Sequence, residues 1–505
     1  MTITSASRTE PRTEPRTYGN WRRPTSPGIG SLGLLATMIL LGGTVAAVIS
    51  SMVFWPLALV VVFLTVITLV PLAIHDRHGR HGFQVLLPRL ASARAAHTGS
   101  DLYRSGPLSR VPQGHCRLPG VAAEIDALDA LDAWGRPFAV LSHPNLGQVT
   151  AVMAAASDGA ALVDASEVDN RVAHWGAWLA DLGHEPGLMA ASVTIEAAPD
   201  TGTRLRHEVE HNIDPGSPSL AQEVLASITD TYPTGSAAMA CYITLTWSTA
   251  PRVGAGKRRS VADMAVHIGH RLPGFTRTLG ATGAGAARPM TTDQLAACCR
   301  VAYDPGSDGA IELTTLHSPG VAWADAGPVA AQESWDRYRH DSGISASWFM
   351  AKAPAGHVFS NTLAQLLAPH PDIARKRVTL VYRPHDPAST AKTVERDRLD
   401  AQFAASGKKF GRARDAISKT AADKSAEEEA QGAGLVQFGL IATATVLAAT
   451  DLDLAGVAME NMGNASRITL RPAYGCQASA FAATLPLGIN LPSHLRVPQV
   501  VREML

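Results

Sequence analysis

The segment RLRHEVEHN, residues 204–212, has the residue types and spacing that zinc hydrolases use. On a helix, His207 and His211 would lie one turn apart with Glu208 beside them, an arrangement that holds a metal ion and deprotonates its water. The surroundings argue against this chemistry, because Pro215 ends such a helix early and the chain lacks the glycine and third histidine of the extended pattern. A zinc hydrolase built on these three residues is therefore the least favoured alternative.

A second segment, PRVGAGKRRS at 251–260, has part of a phosphate-binding loop. Such a loop needs a glycine, then four residues of any type, then Gly-Lys with a hydroxyl residue directly after the lysine. Here Pro251 and Arg258 occupy those two positions, so both requirements fail. The segment is interpreted as a basic contact loop. With no nucleophile elbow of the G-x-S-x-G type either, the sequence predicts a non-enzyme with no catalytic residue, no metal and no cofactor.

The composition limits the classes of partner. The chain has 505 residues, and its 44 basic residues balance 44 acidic ones, so no global charge attracts it to nucleic acid. The five cysteines include no C-x-x-C pair, which argues against both a disulfide framework and a thiolate metal site. A reducing, cytoplasmic setting is expected for most of the chain, without sequence-specific binding of nucleic acid.

The first structural element of the chain is a long stretch that has no charged residue, from Pro24 to Ile74. As one helix it would be about 75 Å long, more than twice the ~30 Å thickness of a hydrocarbon core. Two crossings fit this length, so the sequence predicts a transmembrane hairpin over residues 31–75. Trp55 and Pro56 form its turn, since an interfacial aromatic and a proline at a helix start suit that place.

Positive charge flanks both ends of this hairpin. Arg22 and Arg23 precede the first span, and Arg77 and Arg80 follow the second. Because arginine and lysine are retained on the cytoplasmic side, both termini and the main domain are predicted to be cytoplasmic, on a multi-pass protein of the inner membrane. A cleaved signal peptide is the less favoured alternative, since a second span follows the first at once.

Two segments beside the hairpin differ from the rest in composition. Residues 1–30 contain the repeat RTEPRTEPRTY, rich in proline and charge, and are expected to be a flexible cytoplasmic arm. Residues 76–110 are basic with interleaved apolar residues, which indicates a juxtamembrane segment against anionic head groups. A solvated linker is an equal alternative for residues 76–110, because glycine and proline interrupt them.

Strand and helix patterns alternate through the remainder and predict an α+β region, a mixed or antiparallel sheet with helices on one side. We expect two subdomains, 111–250 and 251–505, with one long charged helical arm at 387–431. The segments 466–488 and 434–450 are interpreted as further strands. The capping pattern Thr291-x-x-Gln294 predicts a helix start.

Four segments of the sequence resemble segments of known protein families. TYGNWRRPTSPGIGSLGLLAT, with the charge-free hairpin after it, resembles actinobacterial conjugative-element membrane proteins whose start is similar to the PrgI and TcpE two-helix membrane proteins. RPMTTDQLAACCRVAYDP (288–305), AEEEAQGAGL (426–435) and QASAFAATLPLG (477–488) resemble the amino-terminal, non-motor part of the conjugation ATPase of type IV secretion.

This resemblance implies a scaffold in the inner membrane for a conjugation or secretion channel. It implies docking of a separate conjugation ATPase and other channel subunits, with several copies of this chain in a larger complex, and it carries over no catalytic residue. An EccE-like membrane component of type VII secretion is the competing family, since it also joins two amino-terminal membrane helices to a large cytoplasmic domain.

Overall fold

The computed structural model describes most of the chain. The described residues are 18, 19, 21, 34–74, 76, 80–107, 109–157, 159, 162–231, 237–250, 258–317, 320–354, 358–406, 413–430, 432 and 434–495. The statements below concern these residues.

The helices are numbered in chain order. They are α1 (Leu34–Val53), α2 (Trp55–Ala73), α3 (Gly82–Thr98), α4 (Ala165–His184), α5 (Thr203–Asn212), α6 (Ser219–Thr231), α7 (Val261–Leu279), α8 (Thr292–Tyr303), α9 (Asp308–His317), α10 (Ala364–Leu367), α11 (Pro387–Ser406), α12 (Ala413–Ala430), α13 (Leu452–Ala465) and α14 (Gln477–Ala483).

The strands form one continuous antiparallel sheet. They are β1 (Leu102–Arg104), β2 (Asp126–Leu131), β3 (Pro137–His143), β4 (Gln148–Ala156), β5 (Leu188–Pro199), β6 (Ala237–Ser248), β7 (Ala286–Pro289), β8 (Ala330–Glu333), β9 (Tyr338–His340), β10 (Gly343–Lys352), β11 (Arg375–Pro384), β12 (Val436–Val446) and β13 (Thr469–Pro472). Their order is β1-β8-β9-β10-β12-β11-β5-β6-β4-β3-β2, with β7 beside β4 and β13 beside β10. The fold is thus mixed α/β with an antiparallel sheet, as predicted.

Helices cover both faces of this sheet. Alternate residues of β3 show the two faces: Phe138 and Val140 pack with α4 and α7, whereas Ala139 and Leu141 pack with α8 and α14. The first face continues into the other half of the sheet, where α13 covers it. The prediction of helices on one side is therefore wrong, and the body has three layers.

The sheet consists of two copies of one topology, which we name the first repeat (residues 126–303) and the second repeat (residues 330–487). The first has the order β2-β3-β4-α4-β5-α5-α6-β6-α7-β7-α8, and the second has β8-β9-β10-α10-β11-α11-α12-β12-α13-β13-α14. Each strand of the second repeat has the same partners as its counterpart in the first, except that β8 also pairs with β1. The predicted boundary at residue 250 lies inside the first repeat, between β6 and α7.

Strand register supports the repeat residue by residue. The two repeats meet where β5 pairs with β11, and Thr194 lies opposite Thr379 at that join. Following the strand pairings outward from this point equates Arg288 with Arg471, each followed by proline. Because β5 and β11 are antiparallel, an approximate twofold axis relates the repeats.

Hydroxyl side chains line the buried sheet face beneath α8 and α14. They pair across neighbouring strands at separations of 2.6 to 2.9 Å. The pairs are Thr150–Thr246, Ser192–Thr244, Thr194–Thr379, Ser345–Thr445 and Ser347–Thr443. By the equivalence above, Thr150–Thr246 in the first repeat corresponds to Ser345–Thr445 in the second. Each hydroxyl has a partner, which is what burial of a polar group requires.

A buried ion cluster fastens the two repeats beside the central hydroxyl pair. Glu196 on β5 accepts from Arg375 and lies 3.5 Å from Arg377, both on β11. Arg377 also donates to Thr484 at 3.2 Å and stacks over the Phe481 ring at 4.6 Å. Removing one partner of such a cluster leaves an uncompensated buried charge, which costs about 3–5 kcal/mol.

Two elements differ from their predictions. The charged helical arm predicted at 387–431 consists of two helices, α11 and α12, which pack together as a hairpin instead of projecting from the body as a single arm, with Arg398 3.2 Å from Asp423. Strand β13 ends at Pro472, and the predicted strand beyond it is helix α14. The alanine-rich sequence QASAFAA favours a helix, because alanine has the highest helix propensity.

Candidate functional site

The zinc-hydrolase pattern lies on α5, a ten-residue helix. The rings of His207 and His211 are in contact, with centroids 3.9 Å apart and planes tilted by 48°. Nδ1 of His211 is 2.9 Å from the carbonyl oxygen of His207. The Glu208 carboxylate accepts from Asn212. The structure thus brings the two histidines together on an exposed surface, whereas hydrolytic zinc sites are enclosed in a cleft. In the part of the chain that is described, no group of three His, Cys, Asp or Glu side chains is placed to hold a metal ion.

Most of the basic loop at 251–260 lies outside the described residues. Arg258 and Arg259 are described, and the backbone N–H of Arg259 donates to Thr249 at 3.0 Å. The Arg258 guanidinium packs against Gly147 in the β3–β4 turn. These contacts place the two arginines at one end of the first repeat.

The thiols are poorly suited to nucleophilic chemistry. Burial raises the pKa of Cys241 to about 11 and that of Cys476 to about 11. Burial likewise raises the pKa of Cys298 to about 11, and its thiol donates to the hydroxyl of Tyr242. Because the thiolate is the reactive form, the raised pKa values lower the reactivity of these three thiols at neutral pH.

The amino-terminal helices form the predicted hairpin. Helices α1 and α2 are long and apolar enough to cross a membrane, and most of their residues are not covered by the rest of the protein. They pack closely at Gly43, where an added Cβ would lie 2.4 Å from Thr65. Small residues at such contacts let membrane helices approach.

The turn of the hairpin is at the predicted place. Phe54 is extended between the helices, and Trp55 and Pro56 open α2. The Phe54 N–H donates to Ser50 at 2.8 Å, which satisfies a carbonyl at the end of α1. Trp55 is exposed, as an interfacial aromatic would be.

The second helix is joined tightly to α3. The Gly82 N–H donates to the carbonyl of Ile74 at 3.1 Å, and Nδ1 of His81 is 2.7 Å from the carbonyl oxygen of Leu72. A Cβ on Gly82 would lie 2.8 Å from the carbonyl oxygen of Pro71, so the two helices meet without room for a side chain. Of the predicted orientation anchors, Arg80 lies at this junction, and Arg22, Arg23 and Arg77 lie outside the described residues.

Helix α3 in turn packs on the second repeat. Pro88 of α3 contacts the site of Gly475, which has φ +71° and whose N–H donates to the carbonyl of Trp335. Arg89 lies over the Trp335 ring at 5.6 Å. The hairpin is therefore joined to the sheet through a packed junction.

The segment before the hairpin also contacts the sheet body. Tyr18 forms a β-bridge with Val358, and its hydroxyl donates to Asp169 at 2.7 Å. Trp21 packs edge-on against Phe438 with centroids 5.9 Å apart. These residues belong to the predicted flexible arm, the rest of which lies outside the described part. The chain on both sides of the hairpin thus reaches the same body.

Sequence reasoning missed two buried histidines. The registers equate His143 of the first repeat with His340 of the second. His143 lies 3.1 Å from the carbonyl oxygen of Leu487, and His340 lies 2.6 Å from that of Tyr303, so each contacts a segment from the opposite repeat. Their local sequences, LSHPN and YRHDS, share only a serine and the histidine, which is too little to reveal the equivalence.

Comparison with known proteins bears on the amino-terminal region alone. A family model described as "Domain of unknown function (DUF8461)" matches residues 25–84, which include both apolar helices and the start of α3. No curated protein matches the chain. The matched region and the hairpin coincide, so this part of the molecule is a recurring unit.

Proposed function

We propose that this protein is a non-catalytic structural component of a conjugative, type IV-like secretion machine, anchored in the inner membrane by the α1–α2 hairpin. One observation supports the anchoring: the hairpin leaves and returns to a single three-layer body, which Tyr18 contacts before it and α3 after it. The assignment to a secretion machine rests on the resemblance of the sequence segments described above. In this proposal both helices cross the bilayer, and because the chain contacts one body before and after them, that body lies on one side of it.

The arginines beside the hairpin support a cytoplasmic location for this body. Arg80 lies directly after α2, and Arg22, Arg23 and Arg77 flank the same ends in the sequence. Because basic residues are retained on the cytoplasmic side, these arginines support a location of the body inside the cell.

The sheet body suits a docking role because its interior is filled by its own side chains. Both faces are covered by helices, and the hydroxyls of the polar face pair with one another. The thiols of Cys241, Cys298 and Cys476 have raised pKa values. Recognition by such a body takes place on its outer surface.

Comparison of the two repeats indicates the outer edge of β2 as the docking surface. In the second repeat, β1 pairs with the outer edge of β8, the counterpart of β2. Strand β2 pairs with β3 alone among the described strands, and its Leu128 and Leu131 are exposed. An open edge accepts a strand from a partner by main-chain hydrogen bonding. We assign this edge to the separate conjugation ATPase.

The test is purification of the full chain from native membranes, followed by identification of retained proteins. A conjugation ATPase should co-purify with the wild type and be lost from the Leu128→Lys/Leu131→Lys variant. Leu102→Lys on β1, also an exposed strand leucine, is the matched control and should retain it. Retention by both variants would rule out the β2 edge, and absence of any secretion ATPase would contradict the proposed function.

An ATPase assay tests whether this chain or the separate ATPase hydrolyses ATP. The purified protein alone should neither bind nor hydrolyse ATP, and turnover should appear only when the ATPase is added. Turnover by this chain alone would overturn the non-catalytic assignment. The EccE-like alternative predicts type VII components and small Trp-x-Gly export substrates among the retained proteins instead.

A further inference from the structure

A cavity of about 710 Å³ opens at the junction between the hairpin and the second repeat. One wall comes from the end of α2 and from α3, with Ile74, Arg80, Leu86 and Arg89. The opposite wall comes from the body, where Trp335 and Tyr474 stack with ring centroids 5.6 Å apart and nearly parallel planes. The cavity therefore combines two guanidinium groups, an aromatic pair and an apolar side.

The charged side chains that line this cavity differ in how well they are paired with other groups. Both carboxylate oxygens of Asp336 accept from the neighbouring Arg337, at 2.9 and 3.0 Å, so that acidic group is neutralised. Arg80 reaches Asp76 by one long contact of 3.4 Å. The Nε atom of Arg80 is buried and has no hydrogen-bond partner among the described residues. A buried guanidinium N–H without an acceptor is costly, and an anionic oxygen placed in the cavity would satisfy it.

The residues that line the cavity indicate its depth relative to the membrane. Ile74 is the residue that ends the second apolar helix. Leu86, Leu87 and Leu90 of α3 are exposed at 48, 61 and 58 %. An apolar helix face of this kind lies at the boundary between head groups and acyl chains. The cavity is thus level with the lipid phosphates if the hairpin spans the bilayer.

We propose that this cavity binds the phosphate head group of a membrane glycerophospholipid. Arg80 and Arg89 contact the phosphate oxygens, the Trp335–Tyr474 pair forms the inner wall of the site, and the acyl chains run past Ile74 and Leu86 toward the bilayer. Guanidinium groups suit this role because they bind phosphate oxygens in a planar, two-pronged geometry. The inference rests on the proposed anchoring of the hairpin in a membrane.

The experiment uses the full chain extracted from membranes in mild detergent, with retained lipid measured by native mass spectrometry. Wild-type protein should retain phospholipid, and Arg80→Gln/Arg89→Gln should lower its occupancy by about tenfold or more, as expected for loss of charge-assisted hydrogen bonds. Arg94→Gln, on the same helix but outside the cavity lining, is the matched control and should retain lipid as the wild type does. Thermal unfolding of each variant checks that it is folded.

Two further arms separate the causes of failure. Inorganic phosphate at millimolar concentration should not displace the lipid; displacement would show a site for free phosphate and overturn the proposal. Membrane fractionation tests the anchor itself. A protein that fractionates with the membrane yet shows equal lipid occupancy in the wild type and the double variant refutes the cavity alone, whereas recovery in the soluble fraction refutes the anchoring function.

Discussion

At the scale of single residues, His143 and His340 occupy equivalent positions in the two repeats, and both side chains are buried. Their exposed fractions are 4 and 0 %. Burial lowers the pKa of each to about 4 from an ordinary value of 6.5. His494 faces the first, and Arg377 and Asp304 face the second. Both rings are therefore neutral in the folded protein at neutral pH.

This predicts a loss of stability on acidification. Between pH 6.5 and 4 the unfolded chain protonates both histidines while the folded protein does not, so the free energy of unfolding falls as the pH falls. Each histidine accounts for about 3 kcal/mol over that range, and nothing is lost above pH 6.5. Tryptophan-monitored thermal unfolding from pH 7.5 to 4.5 should show a steep decline in midpoint. His143→Gln/His340→Gln should flatten it; parallel declines in the two proteins would contradict the assignment.

Gly43 and Gly42 give a second residue-scale prediction. A Cβ at Gly43 meets Thr65, whereas one at Gly42 meets nothing within 4 Å. Gly43→Leu should therefore destabilise the hairpin by about 1–3 kcal/mol through overpacking, and Gly42→Leu should be neutral. The readout is the thermal unfolding midpoint in detergent. Thr65→Ala combined with Gly43→Ala should restore part of the loss seen in Gly43→Ala; equal effects at both glycines would exclude the observed packing.

At the scale of elements, α5 displays the hydrolase spacing without the enclosure that the chemistry needs. Its histidine rings contact each other, and the glutamate between them accepts from Asn212. We expect purified protein to contain no stoichiometric zinc. Elemental analysis of the wild type, His207→Ala and His211→Ala should give the same background value, and one zinc per chain that disappears in both variants would establish a metal site.

Much of the secondary structure could be predicted because local sequence determines it. The alternation in CYITLTW lies within β6, the apolar runs around PNLG are β3 and β4, and the Thr291–Gln294 capping box opens α8. These patterns depend on neighbours in the chain. Helix α14 was missed because a short apolar run fits either a buried strand or a buried helix.

The duplication and the ion cluster could not be predicted in this way. Glu196 and Arg377 are 3.5 Å apart in space but far apart in the chain, and only the pairing of β5 with β11 brings them together. The shared Arg-Pro at 288 and 471 is too short to align the repeats without their registers. For the candidate site, the sequence predicted the hairpin and its turn. It could not predict the cavity, because the cavity depends on the packing of α3 against Trp335, which is a tertiary contact.

At the scale of the whole molecule, the proposed topology predicts opposite labelling of two exposed positions. Leu162 is fully exposed on the sheet body, and Trp55 is exposed at the hairpin turn. A membrane-impermeant thiol reagent should label Leu162→Cys only in inverted vesicles and Trp55→Cys only in intact cells. The wild type measures the background from native cysteines. Labelling of Leu162→Cys in intact cells would place the body outside and reject the cytoplasmic assignment.

The crossed contacts of the two buried histidines constrain how the protein is made. His143 reaches its final partner only when Leu487, 344 positions further along the chain, has been synthesised. The first repeat therefore cannot complete its folding while the ribosome is still translating the second, although domains ordinarily fold in the order in which they emerge. Until then Thr246 also lacks its acceptor, the carbonyl oxygen of Gly488, so this part of the hydroxyl-lined face is completed last.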